Sequence, residues 1–167
     1  VWISDPSWEN HRALFEAAGF TVNAYPYYHA PTKGLDFDGM IGALSRAPEG
    51  HVVVLHACCH NPTGADPTRE QWDRILTVVR ERGLIPFLDI AYQGFGDGSD
   101  SDGEIVRRFG ATPGPMLVAS SFSKSFSLYG ERVGALTLVT GSRDEAGRAL
   151  SQRKRIVRTN YSNPPTN

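Results

Sequence analysis

Four apolar stretches recur along the chain at Val52–Leu55, Leu84 to Ala91, Met116–Ala119 and Ala135–Val139. Each is too short for a helix and is bounded by glycine, proline or polar turn residues. A strand made of continuous apolar residues has no solvent face, so it belongs inside a sheet covered on both sides. Helical spacing fills the intervals. That alternation predicts an α/β fold with a mostly parallel sheet flanked by helices. Ligands in such sheets bind beyond the carboxyl ends of the strands. Asn61, Asp89, Tyr92 and Lys124 all fall at those ends.

The remaining elements follow from local signals. Trp2 to Ser4 reads as a short strand ended by Asp5-Pro6, and Asn10 to Ala18 as a helix stopped by Gly19. Thr21 to Tyr28 is β-rich, and a helix is expected from about Asp38 to Ala47. Thr68 with Gln71 forms a capping box that opens a helix with the stripe Trp72, Ile75, Leu76 and Val79. Ser101 with Glu104, and Ser142 with Glu145, suggest two more helix starts of the same kind.

Between the last two apolar runs lies Ser121-Phe122-Ser123-Lys124-Ser125-Phe126, then Leu128-Tyr129-Gly130-Glu131-Arg132-Val133-Gly134. The chain has three lysines: Lys33 in a turn, Lys154 in a basic run, and Lys124 here. Only Lys124 follows a buried strand, where desolvation and a nearby cation would favour a nucleophilic amine able to form a Schiff base.

Balanced charge, −1 overall with a pI near 6.6, gives no reason to expect a nucleic-acid or anionic-membrane partner. No apolar run approaches the roughly 20 residues of a membrane helix. The two cysteines, adjacent at Cys58-Cys59, cannot build a disulfide framework and suit a reducing, cytoplasmic setting. The chain opens on a strand and closes on Asn163-Pro164-Pro165, which reads as a fragment of a longer enzyme.

Taken together, Asp5-Pro6-Ser7-Trp8-Glu9-Asn10-His11, His60-Asn61-Pro62-Thr63-Gly64, Asp89-Ile90-Ala91-Tyr92-Gln93-Gly94-Phe95, the Ser121-to-Arg132 stretch and Asn160-Tyr161-Ser162-Asn163-Pro164-Pro165 resemble the fold-type I pyridoxal-phosphate aminotransferases of the aspartate and aromatic-amino-acid group. The resemblance implies that residues 1–167 are the central and C-terminal part of the cofactor-binding large domain, without the small domain and the phosphate-loop segment. It implies transamination between an amino acid and a 2-oxo acid through an aldimine with Lys124, which also moves the proton between Cα and C4′. Asp89 would pair with the pyridinium, Tyr92 and Asn61 would hydrogen-bond the ring hydroxyl, and Trp8 would stack on the ring. Ser121 and Arg132 would hold the phosphate, and His11 would stand behind Asp89. Asn61 and Arg158 would meet the substrate, Arg158 from the neighbouring subunit of a homodimer with shared sites. The segments Ser125–Gly130 and Leu84–Leu88 look more like the aromatic-amino-acid branch. A strict aspartate aminotransferase, or a non-catalytic fragment of either, is the alternative.

Two other chemistries fit less well. Ser121-Phe122-Ser123-Lys124 matches the Ser-x-x-Lys of penicillin-binding acylases, but the companion Ser-Asp-Asn and Lys-Thr-Gly motifs are missing. His56, Cys58, Cys59 and His60 could suggest a metal. Adjacent cysteines seldom aim at one ion, so no metal is expected and the cysteines read as small buried hydrophobes.

Overall fold

The computed structural model describes residues 1–160; the end of the Asn160-to-Pro165 motif lies outside the described residues. Six strands form one sheet in the order β2 (Asn23–Pro26), β1 (Trp2–Asp5), β5 (Val52–His56), β6 (Ile85–Ile90), β7 (Met116–Ser121), β8 (Gly134–Val139). All neighbours are parallel except β7 and β8, which run antiparallel. The β-rich stretch before Pro31 divides: β2 joins the main sheet, while β3 (Tyr28–His29) pairs with β4 (Gly34–Leu35) in a separate ribbon.

The helices are α1 (Glu9–Ala17), α2 (Phe37–Leu44), α3 (Arg69–Glu81), α4 (Ser99–Asp102), α5 (Glu104–Gly110) and α6 (Arg143–Asn160). Thr68 caps α3 as expected, its hydroxyl accepting from Gln71 N–H while the Gln71 side chain accepts from Thr68 N–H. Ser142 caps α6 by accepting from Glu145 N–H, but Glu145 reaches back to Gly141 N–H, one residue earlier than a capping box would have it. The start expected at Ser101 and Glu104 is different. Ser101 lies inside the single turn of α4, and α5 begins after Gly103 with no side-chain cap. Asp102 instead accepts from the N–H groups of Gly94, Gly96 and Asp97 in the preceding loop.

The two faces of the sheet are covered unequally. On one, Met40 and Leu44 of α2, Trp72, Ile75 and Val79 of α3, and Phe109 of α5 close over Val53, Leu55, Leu88, Met116 and Val118. On the other, a smaller group of Val1, Ile3 and Val54 packs with Phe15 of α1 and Phe87. The expectation of full cover on both faces holds only for the first among the described residues. The unequal layering leaves the carboxyl ends of β5, β6 and β7 beside α1, which begins at Trp8.

Candidate active site

Strand register sets the first pair of groups. His56, the last residue of β5, lies opposite Asp89 of β6, and paired residues in a sheet point to the same face. Asp89 in turn lies opposite Ala119 of β7, a small side chain that leaves space above it. A cavity of about 240 Å³ opens there, lined by Trp8, Asn61, Asp89, Tyr92, Ser121, Lys124 and Arg132 together with His56, Ala91, Ser123 and Tyr129. Seven of the expected site residues therefore meet in one place. His11 stands just behind, and Arg158 sits in the last turn of α6 and does not line the cavity.

The Asp89 carboxylate is fixed from α1. Its Oδ2 lies 2.9 Å from His11 Nε2, and His11 Nδ1 lies 2.9 Å from the Ser7 hydroxyl. The network closes when Ser7 donates to Nδ1 and the Nε2–H donates to Asp89. His11 is buried, and Trp8 meets its ring edge-on with centroids 5.3 Å apart. The tryptophan itself stays partly open, so its face is available to whatever fills the cavity.

Asn61 is held by its loop. Both Asp66 carboxylate oxygens accept backbone N–H groups, from Cys59 at 2.6 Å and from His60 at 2.8 Å. The His60 ring stacks on Tyr27 with centroids 3.7 Å apart and bonds Ser4 and Thr63 through its two nitrogens. Burial, reinforced by neighbouring His56 and His11, pulls the His60 pKa down to about 3.

His56 is the residue whose part in the site the sequence did not disclose. Its Nδ1 accepts from Asn61 N–H at 3.3 Å, which leaves the proton on Nε2. That Nε2 is buried and has no partner among the described residues. Burial, with His11 beside it, lowers the His56 pKa to about 4, so at neutral pH it is an uncharged, unsatisfied donor in the cavity wall. A strand-end histidine was visible in the sequence, but only the cross-strand register shows that it stands beside Asp89.

Lys124 follows β7, its ammonium 4.9 Å from the centre of the Tyr92 ring. The loop carrying it is tied down where Ser125 donates to Gln93 O and where Phe122 N–H donates to Val133 O. Gly134 begins β8 where a Cβ would come within 2.7 Å of Ser120 O, so only glycine lets the strand return this closely. Arg132 donates to Tyr129 O at 3.0 Å and reaches the Ser123 hydroxyl at 3.5 Å. Ser121 Oγ accepts from Ser123 N–H. Two cations, a set of neutral donors and one anchored carboxylate thus surround a single space.

Comparison with known proteins agrees with this fold. Residues 1–167 match the family model described as aminotransferase class I and II. The chain belongs to that family. An aspartate aminotransferase of Pseudomonas aeruginosa is 60% identical over 99% of this chain, and an aromatic-amino-acid aminotransferase of Escherichia coli K12 is 52% identical over the same share. The crystal structure of the aromatic-amino-acid aminotransferase of Burkholderia pseudomallei, covalently bound to pyridoxal phosphate, superimposes with a TM-score of 0.95 at 64% identity over 99% of this chain. The chain spans about two fifths of these relatives, 42% of the two curated proteins and 41% of the Burkholderia chain.

Proposed function

We propose that the protein to which this segment belongs is a pyridoxal-phosphate-dependent aminotransferase that exchanges an amino group between an amino acid and a 2-oxo acid. The observation that carries the reading is the convergence of Asp89, Tyr92, Asn61 and Lys124 on one cavity at the strand ends. The cavity suits this cofactor on its own chemistry. It offers one carboxylate for a pyridine nitrogen, the unpartnered His56 donor and an amine for an aldehyde, with Arg132 and Ser121 for a phosphate.

When bound, pyridoxal phosphate supplies an electron sink for the pair released as the substrate Cα–H bond breaks. The chain's residues make that possible. Asp89, oriented by His11, keeps a pyridine nitrogen protonated. Lys124 Nζ would hold the cofactor at its aldehyde and would be the amine placed to carry the substrate Cα proton. Tyr92 and Asn61 donate to the ring oxygen, Trp8 covers one ring face, and Ser121 and Arg132 hold the phosphate. In the full-length enzyme, borohydride reduction and peptide mapping should place the pyridoxyl group on Lys124; a label on any other lysine would refute the assignment.

Aromatic amino acids are the favoured substrates, supported by the 64% identical Burkholderia enzyme. The 60% identical Pseudomonas relative supports aspartate as the second reading. A cytoplasmic homodimer with shared sites completes the proposal. The rice relative named a cytoplasmic aspartate aminotransferase supports the compartment. In that dimer Arg158 reads the distal carboxylate of a dicarboxylic substrate in the partner's site. Arg158→Ala should then lower kcat/KM for aspartate by about 2–5 kcal/mol and for phenylalanine far less. Equal losses would mean that Arg158 supports the fold.

A further inference from the structure

Cys58 belongs to the hydrophobic core and Cys59 packs against it, as expected of small apolar side chains, and their sulfurs also converge. Cys59 has a left-handed backbone, φ 50°, which turns its side chain toward the same side as that of Cys58. Both sulfurs and one oxygen of Asp102 lie within 4.8 Å of one another. Cys58 and Asp102 are buried, and Cys59 is half-buried. Asp102 comes from the far side of the loop after β6, so the three groups are brought together only by the fold.

Asp102 still has room to bind. Its Oδ2 accepts from Gly94 N–H at 2.7 Å and Gly96 N–H at 3.0 Å, and its Oδ1 accepts from Asp97 N–H alone. A carboxylate oxygen offers two lone pairs, so Oδ1 keeps one free. Those three N–H bonds also fix the carboxylate rigidly. Beside the cluster lies a polar cavity of about 330 Å³, walled by Cys58 and Asp102 with Asp66 and Asp97. Arg69 and Arg108 border it too, paired with Glu104 and Asp73, while Arg108 Nη1 is buried without a hydrogen-bond partner among the described residues.

We propose that Cys58, Cys59 and Asp102 bind one thiophilic divalent cation of the zinc class, with water from the adjacent cavity as the fourth ligand. Two thiolates and a carboxylate form a donor set that suits zinc and its softer neighbours and disfavours magnesium or calcium. Tetrahedral coordination, with metal–sulfur bonds of about 2.3 Å, needs donor separations of about 3.7 Å. The cluster must therefore contract by roughly 1 Å at its widest. A bound dication of this class deprotonates a coordinating thiol outright. Binding replaces the two thiol protons, one of which the Cys59 thiol otherwise directs to Tyr92 O at 3.9 Å.

The sequence alone argued against a metal because adjacent cysteines rarely converge. The left-handed turn at Cys59 and the arrival of Asp102 remove that objection. This inference does not depend on the proposed transamination, since its test reads metal and not turnover. The full-length protein, stripped of adventitious metal, is titrated with Cd²⁺ alone. One ion per chain, a thiolate-to-metal charge-transfer band in the near ultraviolet and two protons released per ion are expected. Cys58→Ser and Cys59→Ser should each weaken binding by more than the roughly 10–100-fold that loss of a supporting partner costs. Should the buried Cys58→Ser fail to fold, Cys59→Ala, at the half-buried position, gives the same reading. No charge-transfer band in the wild type, or a band that survives Cys59→Ala, would overturn the proposal.

Discussion

His56 and His60 are stored as neutral imidazoles, and that decides how the site responds to acid. Their folded pKa values lie at about 4 and about 3, each lowered first by burial, whereas an unfolded histidine titrates near 6.5. As pH falls below about 6.5 the unfolded chain takes up two protons that the folded chain refuses. The stability these residues contribute is therefore complete above that pH. It is lost toward pH 4 by about 1.4 kcal/mol per pH unit for each proton. Urea midpoints at neutral pH and near pH 5 should show this slope, and His60→Gln should reduce it by about one proton; an unchanged slope would mean that His60 charges freely in the folded state. Asp89 and Lys124 were legible in the sequence because a strand-end carboxylate and a lone lysine after a buried run are local signals. The unpartnered Nε2 of His56 was not legible. It depends on which residue β6 places opposite β5, and on Asn61 N–H claiming the other ring nitrogen.

Among the elements, α3 shows how far local chemistry reaches. Its capping box and its stripe of Trp72, Ile75, Leu76 and Val79 were readable one residue at a time; the box forms, and Trp72, Ile75 and Val79 are buried together with Val78 while Leu76 is only partly buried. At α4 and α5 the same pattern failed: Ser101 lies inside the turn of α4, and the Asp102 carboxylate is drawn back to three N–H groups of the preceding loop. A contact of that kind leaves no periodic trace. Thr68→Ala removes the hydroxyl that holds Gln71 N–H and should destabilise the protein by ~1 kcal/mol, seen as a lower urea midpoint. Cofactor affinity should not change, since no residue of α3 lines the site cavity. A loss of cofactor without a loss of stability would show that α3 acts on the site and not on the fold.

For the molecule as a whole, the sheet has one well-covered face and α6 stands apart from it. This helix of 18 residues buries none of them, and Ile156 and Val157 are 61% and 45% exposed. Beneath it, Leu136 of β8 is 44% exposed, and Arg153 donates to the Leu136 carbonyl as a polar tie between the two elements. In proteins most helical stability comes from packing of an amphipathic face rather than from propensity. By contrast, α3 buries Trp72, Ile75, Val78 and Val79 against the sheet. Opening α3 therefore means breaking the core, while opening α6 breaks little beyond its own backbone bonds. Hydrogen exchange on the 167-residue chain by itself should accordingly find α6 amides close to the rates of an unfolded peptide. The amides of α3, β5 and β6 should open only with global unfolding. Protection of α6 equal to that of α3 would show that its contact with β8 is a packed interface and that the exposed leucine and isoleucine surfaces find cover within the chain itself.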